Sequence, residues 1–128
     1  MKAFTVTELL AVVVIIGILA AISYPRFQAF RIKARLREVP NTVQLILAAE
    51  KYYHFKRGFY YTWVYGTDPS DVLNISLPGA DSMCQYQVTG TAIQFQRRTP
   101  TEDVGSYDMA TDSYDIKAAY EKYLGYLE

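Results

Sequence analysis

Residues 4–25 read FTVTELLAVVVIIGILAAISYP, and the fold turns on how this stretch is understood. From Leu9 to Tyr24 there is no charged side chain. As a helix, Phe4–Tyr24 would extend about 31 Å at ~1.5 Å per residue. That matches the ~30 Å hydrocarbon core of a bilayer. Three readings compete: a secretory signal with Lys2 as its basic region and Ala21-Ile22-Ser23 as the cleavage site, a plain membrane anchor, and a membrane helix that later packs against copies of itself. Glu8 decides between them. A carboxylate near the start of an apolar span is costly in lipid and marks function by default, and neither a signal nor a simple anchor needs one.

The helical pattern continues past the apolar run. Ile32, Leu36, Val39, Val43, Ile46 and Tyr53 recur at spacings of three and four, the stripe of an amphipathic helix reaching to about residue 55. Glu50 interrupts this stripe and is expected at its rim. Pro25 and Pro40 should each kink the helix, since proline removes a donor and crowds the preceding turn. Arg57-Gly58 supplies the stop. The first half of the chain therefore reads as one long, bent helix, greasy at first and amphipathic afterwards.

Residues 59–82 are rich in aromatics but broken by Gly66, Pro69, Pro78 and Gly79, which reads as a loop with room for a short turn of helix near 69–73. Cys84, Tyr86 and Val88 alternate with Gln85 and Gln87. After Thr89-Gly90-Thr91, Ile93 and Phe95 alternate with Gln94 and Gln96, so the two runs form an antiparallel hairpin with one apolar face. A third strand is expected near 106–116, around Tyr107-Asp108-Met109 or Tyr114-Asp115-Ile116. Lys117–Leu127 reads as a helical tail that Gly125 weakens. The fold class is α+β: a long bent N-terminal helix whose C-terminal half packs on a small antiparallel sheet.

Composition narrows the functions. The chain has 128 residues, with 13 basic against 13 acidic side chains, so it has no net attraction to polyanions. Charge is unevenly placed. Arg26, Arg31, Lys33, Arg35 and Arg37 face only Glu38 in residues 26–38, while Glu102, Asp103, Asp108, Asp112 and Asp115 crowd residues 102–115 with no base. This is either two solvated faces or the means by which the basic stem of one subunit meets the acidic surface of another. One cysteine, Cys84, excludes an intrachain disulfide and reads as a small buried hydrophobe. Twelve tyrosines among 19 aromatics must supply packing in its place.

Catalytic chemistry has little to stand on. The single histidine, His54, lies between Tyr53 and Phe55, so no His/Cys metal cluster can form and no base sits beside a nucleophile. A calcium site among the acids of 102–115 lacks regular ligand spacing. No glycine-rich phosphate loop is present, and Asn74-Ile75-Ser76 is a glycosylation tripeptide of the kind that occurs by chance. We expect no enzyme and no catalytic, cofactor-binding or metal residues.

Phe4, Thr5, Glu8 and Pro25, with the apolar run between them, resemble the N-terminal signature of type IV pilins and pseudopilins. That family opens its mature chain with an aromatic residue and a threonine, and carries a glutamate and a proline at fixed offsets. The resemblance covers about the first quarter of the chain. It implies a short leader, residues 1–3, cut by prepilin peptidase between Ala3 and Phe4, with N-methylation of Phe4. The family's usual glycine before the cut is Ala3 here. It further implies residues 4–25 as a transmembrane and filament-core segment, and residues 26–128 as the amphipathic helix plus an α+β domain outside the cytoplasm.

Glu8 would pair with the Phe4 amine of a neighbouring subunit, where low dielectric makes an unpaired charge prohibitive. Within the filament, Gly17, Ser23 and Pro25 mark a segment expected to unwind between Gly17 and Pro25, continuous in the isolated subunit. The implied partners are a helical homopolymer, the pilus or type II secretion assembly machinery, and the inner membrane before assembly, with the subunit passing from that membrane to an extracellular filament, or to the periplasm for a pseudopilin. A tip subunit binding DNA or a receptor is the alternative from another class. Lys51, Lys56 and Arg57 interleave with Tyr52, Tyr53, Phe55, Phe59 and Tyr60, and Arg97-Arg98 add two cations, although packing of the rings into the core is the favoured reading. Electron transfer along Phe4, Tyr24, Phe27, Phe30, Tyr52 and Tyr53 uses spacing that a helix core also requires.

Overall fold

The computed structural model describes residues 4–124 and Leu127. Helix α1 runs Val6–Leu36 and helix α2 runs Glu38–Arg57, with a turn at Arg37 between them. The break has a local cause. Pro40 lies in the first turn of α2, where a missing N–H is tolerated, but its ring would obstruct the carbonyl four residues back, that of Leu36. Pro25, by contrast, sits inside α1 without ending it. The chain divides into two compact units, one ending at Ala34 and one beginning at Arg35, downstream of the 25/26 division expected from the sequence.

In the second unit, α2 ends at Gly58, whose φ of 85° is the left-handed conformation that glycine adopts without strain. Its N–H donates to the His54 carbonyl at 2.7 Å, closing the helix as Arg57-Gly58 signalled. A loop carrying α3, Ser70–Leu73, leads to four strands: β1 Cys84–Thr89, β2 Ala92–Arg97, β3 Glu102–Asp108 and β4 Ser113–Ile116. They form one antiparallel sheet in sequence order. A short α4, Ala118–Leu124, follows. Of the tail expected as helix to Leu127, Gly125 and Tyr126 lie outside the described residues.

The stripe read from the sequence is the face that packs. Leu36, Val39, Val43 and Ile46 are fully buried, joined by Leu47. They meet the inner face of the sheet, where Cys84, Tyr86, Val88, Ile93, Phe95, Val104, Tyr107 and Ile116 are buried. Each fully buried aliphatic or aromatic side chain contributes roughly 1.5–3 kcal/mol relative to exposure, so this seam holds the domain without a disulfide. Cys84 is buried and free, and burial pushes its thiol up to about 12, which suits a packing residue rather than a reactive one.

Two features depart from the reading of the sequence. Where one strand is expected near 106–116 there are two, β3 beginning earlier at Glu102, and β3 carries a bulge. Phe95 pairs with Gly105 but Gln96 pairs with Asp103, so the consecutive residues Val104 and Gly105 are both buried. The bulge breaks the alternation by which a strand is recognised. Gly105 is there because nothing larger fits: a Cβ would lie 2.5 Å from the Asp115 carbonyl oxygen.

The second departure is Glu50, which is not at a rim but 0% exposed. Its Oε2 accepts the Tyr61 N–H at 2.9 Å, tethering the chain just beyond α2. Trp63, which bridges to Val88 beside β1, acts on the same carboxyl, yet Glu50 Oε1 and Trp63 Nε1 make no hydrogen bond of ordinary geometry. Burial raises the Glu50 carboxyl above its ordinary value of 4.5, against the opposing pull of the Tyr61 N–H and the indole.

Two outcomes follow from this packing. Gly105→Ala should destabilise the domain by about 1–3 kcal/mol, the range for forcing extra volume into a packed site, read as a lowered melting temperature; an unchanged melt would contradict the close approach. For Glu50, the folded state holds the proton more tightly than the unfolded state does. Stability should therefore fall as pH rises from about 4.5 through the higher folded-state value. Glu50→Gln cannot titrate, so its melting temperature should gain on the wild type as pH rises. A constant difference across that range would show that Glu50 does not titrate differently in the folded chain.

Candidate assembly site on the N-terminal helix

Every residue from Phe4 to Phe27 is exposed. Phe4, Val6, Leu9, Leu10, Val12–Ile16, Ile18, Leu19, Ile22 and Tyr24 all present large apolar surface, Phe4 being 79% exposed. The apolar side chains encircle the helix instead of forming one stripe, as expected of a helix surrounded by lipid or by other helices. The helix is long and apolar enough to cross a membrane, and none of its apolar window is covered by the rest of the chain. Exposed apolar surface of this extent marks a protein or membrane contact.

At its start the sequence reading missed a local role for Glu8. Glu8 Oε2 accepts both the Thr5 N–H and the Thr5 hydroxyl at 2.9 Å, while the Glu8 N–H donates to Thr5 Oγ1 at 3.3 Å. This is a capping box: the first residue before the helix and the third within it satisfy each other's free donors. Its signal, Thr5-Val6-Thr7-Glu8, stands in the sequence. A helix buried in lipid needs such a cap, because a free N–H there finds no water. Phe4 precedes the capping residue Thr5, and both Phe4 and Glu8 are exposed. The expected cut between Ala3 and Phe4 involves Ala3, which lies outside the described residues.

Gly17 and Pro25 lie within an unbroken α1, as does Ser23. A Cβ added at Gly17 would meet nothing within 4 Å, so this glycine serves no packing purpose inside the chain. Phe4, Tyr24, Phe27 and Phe30 do not form a core, being exposed. Tyr53 packs edge-on with Phe59 at 5.8 Å and tilted with Tyr61 at 5.7 Å, but Tyr52, Phe55 and Phe59 are exposed, Phe55 by 88%. The expectation that the rings of 51–60 pack into the core is therefore corrected for Tyr52, Phe55 and Phe59, while Tyr53 and Tyr60 are half-buried.

His54 stacks on Tyr60 with ring centroids 4.4 Å apart. Three of the acids of 102–115 meet neighbouring side chains: the Tyr120 hydroxyl donates to Glu102, Lys117 pairs with Asp103 at 3.6 Å, and the Tyr107 hydroxyl donates to Asp112. Among the described residues no group of His, Cys, Asp or Glu is arranged to hold a metal ion.

Comparison with protein-family models, with curated proteins and with solved structures finds no match to this chain.

Proposed function

We propose that this chain is a structural subunit of a type IV pilus or a related filament, held in the membrane by α1 and polymerised through it. The observation that carries the reading is an all-round apolar α1 with nothing of its own chain covering it, opened by Phe4, Thr5 and Glu8 and containing Pro25 at the offsets of the pilin signature. Prepilin peptidase would cut after Ala3, giving Phe4 a charged amine that would be methylated, as is common in type IV pilins. Glu8 of the next subunit would neutralise that amine among packed apolar helices, fixing the axial register rather than adding net stability.

Gly17, Ser23 and Pro25 would let α1 unwind locally inside that bundle, where neighbouring groups replace the lost backbone bonds. In lipid the same opening is prohibited. The five bases after the span outnumber Lys2 before it, so charge bias alone favours the wrong orientation; a long exported domain crosses largely regardless of such bias. A pseudopilin of a type II secretion system shares each of these features.

A second reading rests on the exposed rings Tyr52, Phe55 and Phe59 beside Lys51, Lys56 and Arg57, a basic and aromatic surface of the kind on which single-stranded DNA stacks. Under it, the chain is a minor subunit that binds DNA at the filament tip.

The capping box provides the control that the pairing role needs. Glu8→Ala removes the carboxylate's part of the cap and the charge together, whereas Thr5→Val removes the hydroxyl's part of the cap and keeps the carboxylate. Both variants should insert into the membrane. Glu8→Ala should lower the yield of sheared filaments at least tenfold, since an unpaired buried amine costs about 3–5 kcal/mol, while Thr5→Val should stay near wild type. Wild-type filament protein should have the intact mass of a chain lacking Met1-Lys2-Ala3. Equal losses in the two variants would reduce Glu8 to a helix cap, and abundant Glu8→Ala filaments would remove the pairing role.

A further inference from the structure

The second unit carries a cluster of three arginines of which, among the described residues, only Arg97 has an acid within ion-pair distance. Arg35, Arg97 and Arg98 line a cavity of about 240 Å³, together with Asp81, Ser82 and Thr99. Among the described residues there are only two ion pairs, Arg97 with Glu102 at 4.0 Å and Lys117 with Asp103 at 3.6 Å. Asp81 lines the cavity but reaches none of the three guanidinium groups within 4.0 Å. The Nε–H groups of both Arg97 and Arg98 are buried without an acceptor. Like charges lining one cavity favour an occupant of opposite sign, and a buried donor without an acceptor favours one that can accept. The unpaired guanidinium groups of Arg35 and Arg98 suit an anion. At this size the cavity falls below the ~300–1,000 Å³ of ordinary small-molecule pockets and suits one or two carboxylates.

The same unit carries acids that its cations leave uncompensated. Asp108, Asp112 and Asp115 lie on the β3–β4 hairpin, and none has a basic group within 4.0 Å. Asp108 Oδ1 accepts the Ala110 N–H at 2.8 Å, and Asp112, with φ of 56°, shapes the turn and accepts the Tyr107 hydroxyl. Asp115 is exposed on β4, an edge strand of the sheet.

We propose that the arginine cavity of one copy receives the acidic β3–β4 hairpin of a second copy. This inference rests on the filament reading and names a contact between the outer domains. The charges complement each other in sign, and both partners are present on every chain, so a polymer presents each cavity to a hairpin at high effective concentration. The contact is heterologous, cavity to hairpin, which is the type that propagates into an open helical array instead of closing on itself. It gives the domains a register of their own, independent of Glu8.

Charge reversal in full-length chain tests the contact. Arg35→Glu with Arg98→Glu should cut the yield of sheared filaments at least tenfold, and so should Asp112→Asn with Asp115→Lys, in which asparagine keeps the left-handed turn. The combined fourfold variant should recover at least half of the wild-type yield. Arg35→Gln with Arg98→Gln, a milder change, guards against misfolding and should show a smaller loss at an unchanged melting temperature.

A fourfold variant no better than either double variant would overturn the contact, as would wild-type filaments whose yield neither double variant affects. An arginine variant that loses filaments and binding of inorganic phosphate, beside an acidic variant that loses neither, would assign the cavity to a free anion and overturn the proposal. Absence of filaments from wild-type cells would remove the filament reading itself, and this inference with it.

Discussion

A helix that is apolar on every side has no stable position in water, and the organisation of this chain follows from that constraint. A soluble domain buries one stripe of each surface helix and wets the rest. Here α2 does so, whereas the apolar stretch of α1 buries nothing against its own chain. At about 0.3–0.6 kcal/mol for each Leu, Ile, Phe or Val, a run such as Leu9–Ile22 strongly favours lipid or a bundle of like helices over water. Because other copies can replace lipid at little cost in burial, transfer between the two surroundings turns on the few polar groups present. Glu8 is the one charged side chain from Phe4 to Pro25. In the single chain its carboxylate is occupied by the capping box, and a carboxylate can accept further bonds, so an incoming amine need not displace the cap.

The second unit solves a different problem, that of standing in water at small size with no disulfide. Its answer is one dense seam between α2 and the inner face of the sheet, closed at one end by the Glu50 tether to Tyr61 and at another by Tyr120 reaching Glu102. Glu50 costs stability as a buried carboxyl, yet it fixes where the chain leaves the helix. Under the proposed filament reading, a fixed exit lets the outer surface repeat from copy to copy.

The parts of the fold legible in the sequence were those with strict periodicity. The stripe Leu36–Ile46 and the alternation of β1 and β2 repeat at 3.6 and 2 residues, and both elements form where that spacing places them. The second hairpin was half hidden, since the bulge at Val104-Gly105 puts two neighbours on the same face and Gly105 is chosen by the approach of Asp115, a long-range contact without local signature. Glu50 was misplaced because its partner lies beyond the helix end, where pattern carries no information. On α1 the residues of the candidate site were all visible. What was overlooked is that Thr5 and Glu8 also satisfy an ordinary helix-capping pattern, so part of Glu8's presence is explained before any partner is invoked.

On the proposed function, α1 leaves lipid to be buried among copies of itself. A cryo-EM reconstruction of filaments sheared from cells tests this most directly. It should show α1 helices forming a water-free central bundle, with each Glu8 carboxylate within hydrogen-bonding distance of a neighbour's Phe4 amine and the helix interrupted between Gly17 and Pro25. Filaments built without α1 at their centre, or cells in which the chain stays in the membrane as isolated copies, would contradict it.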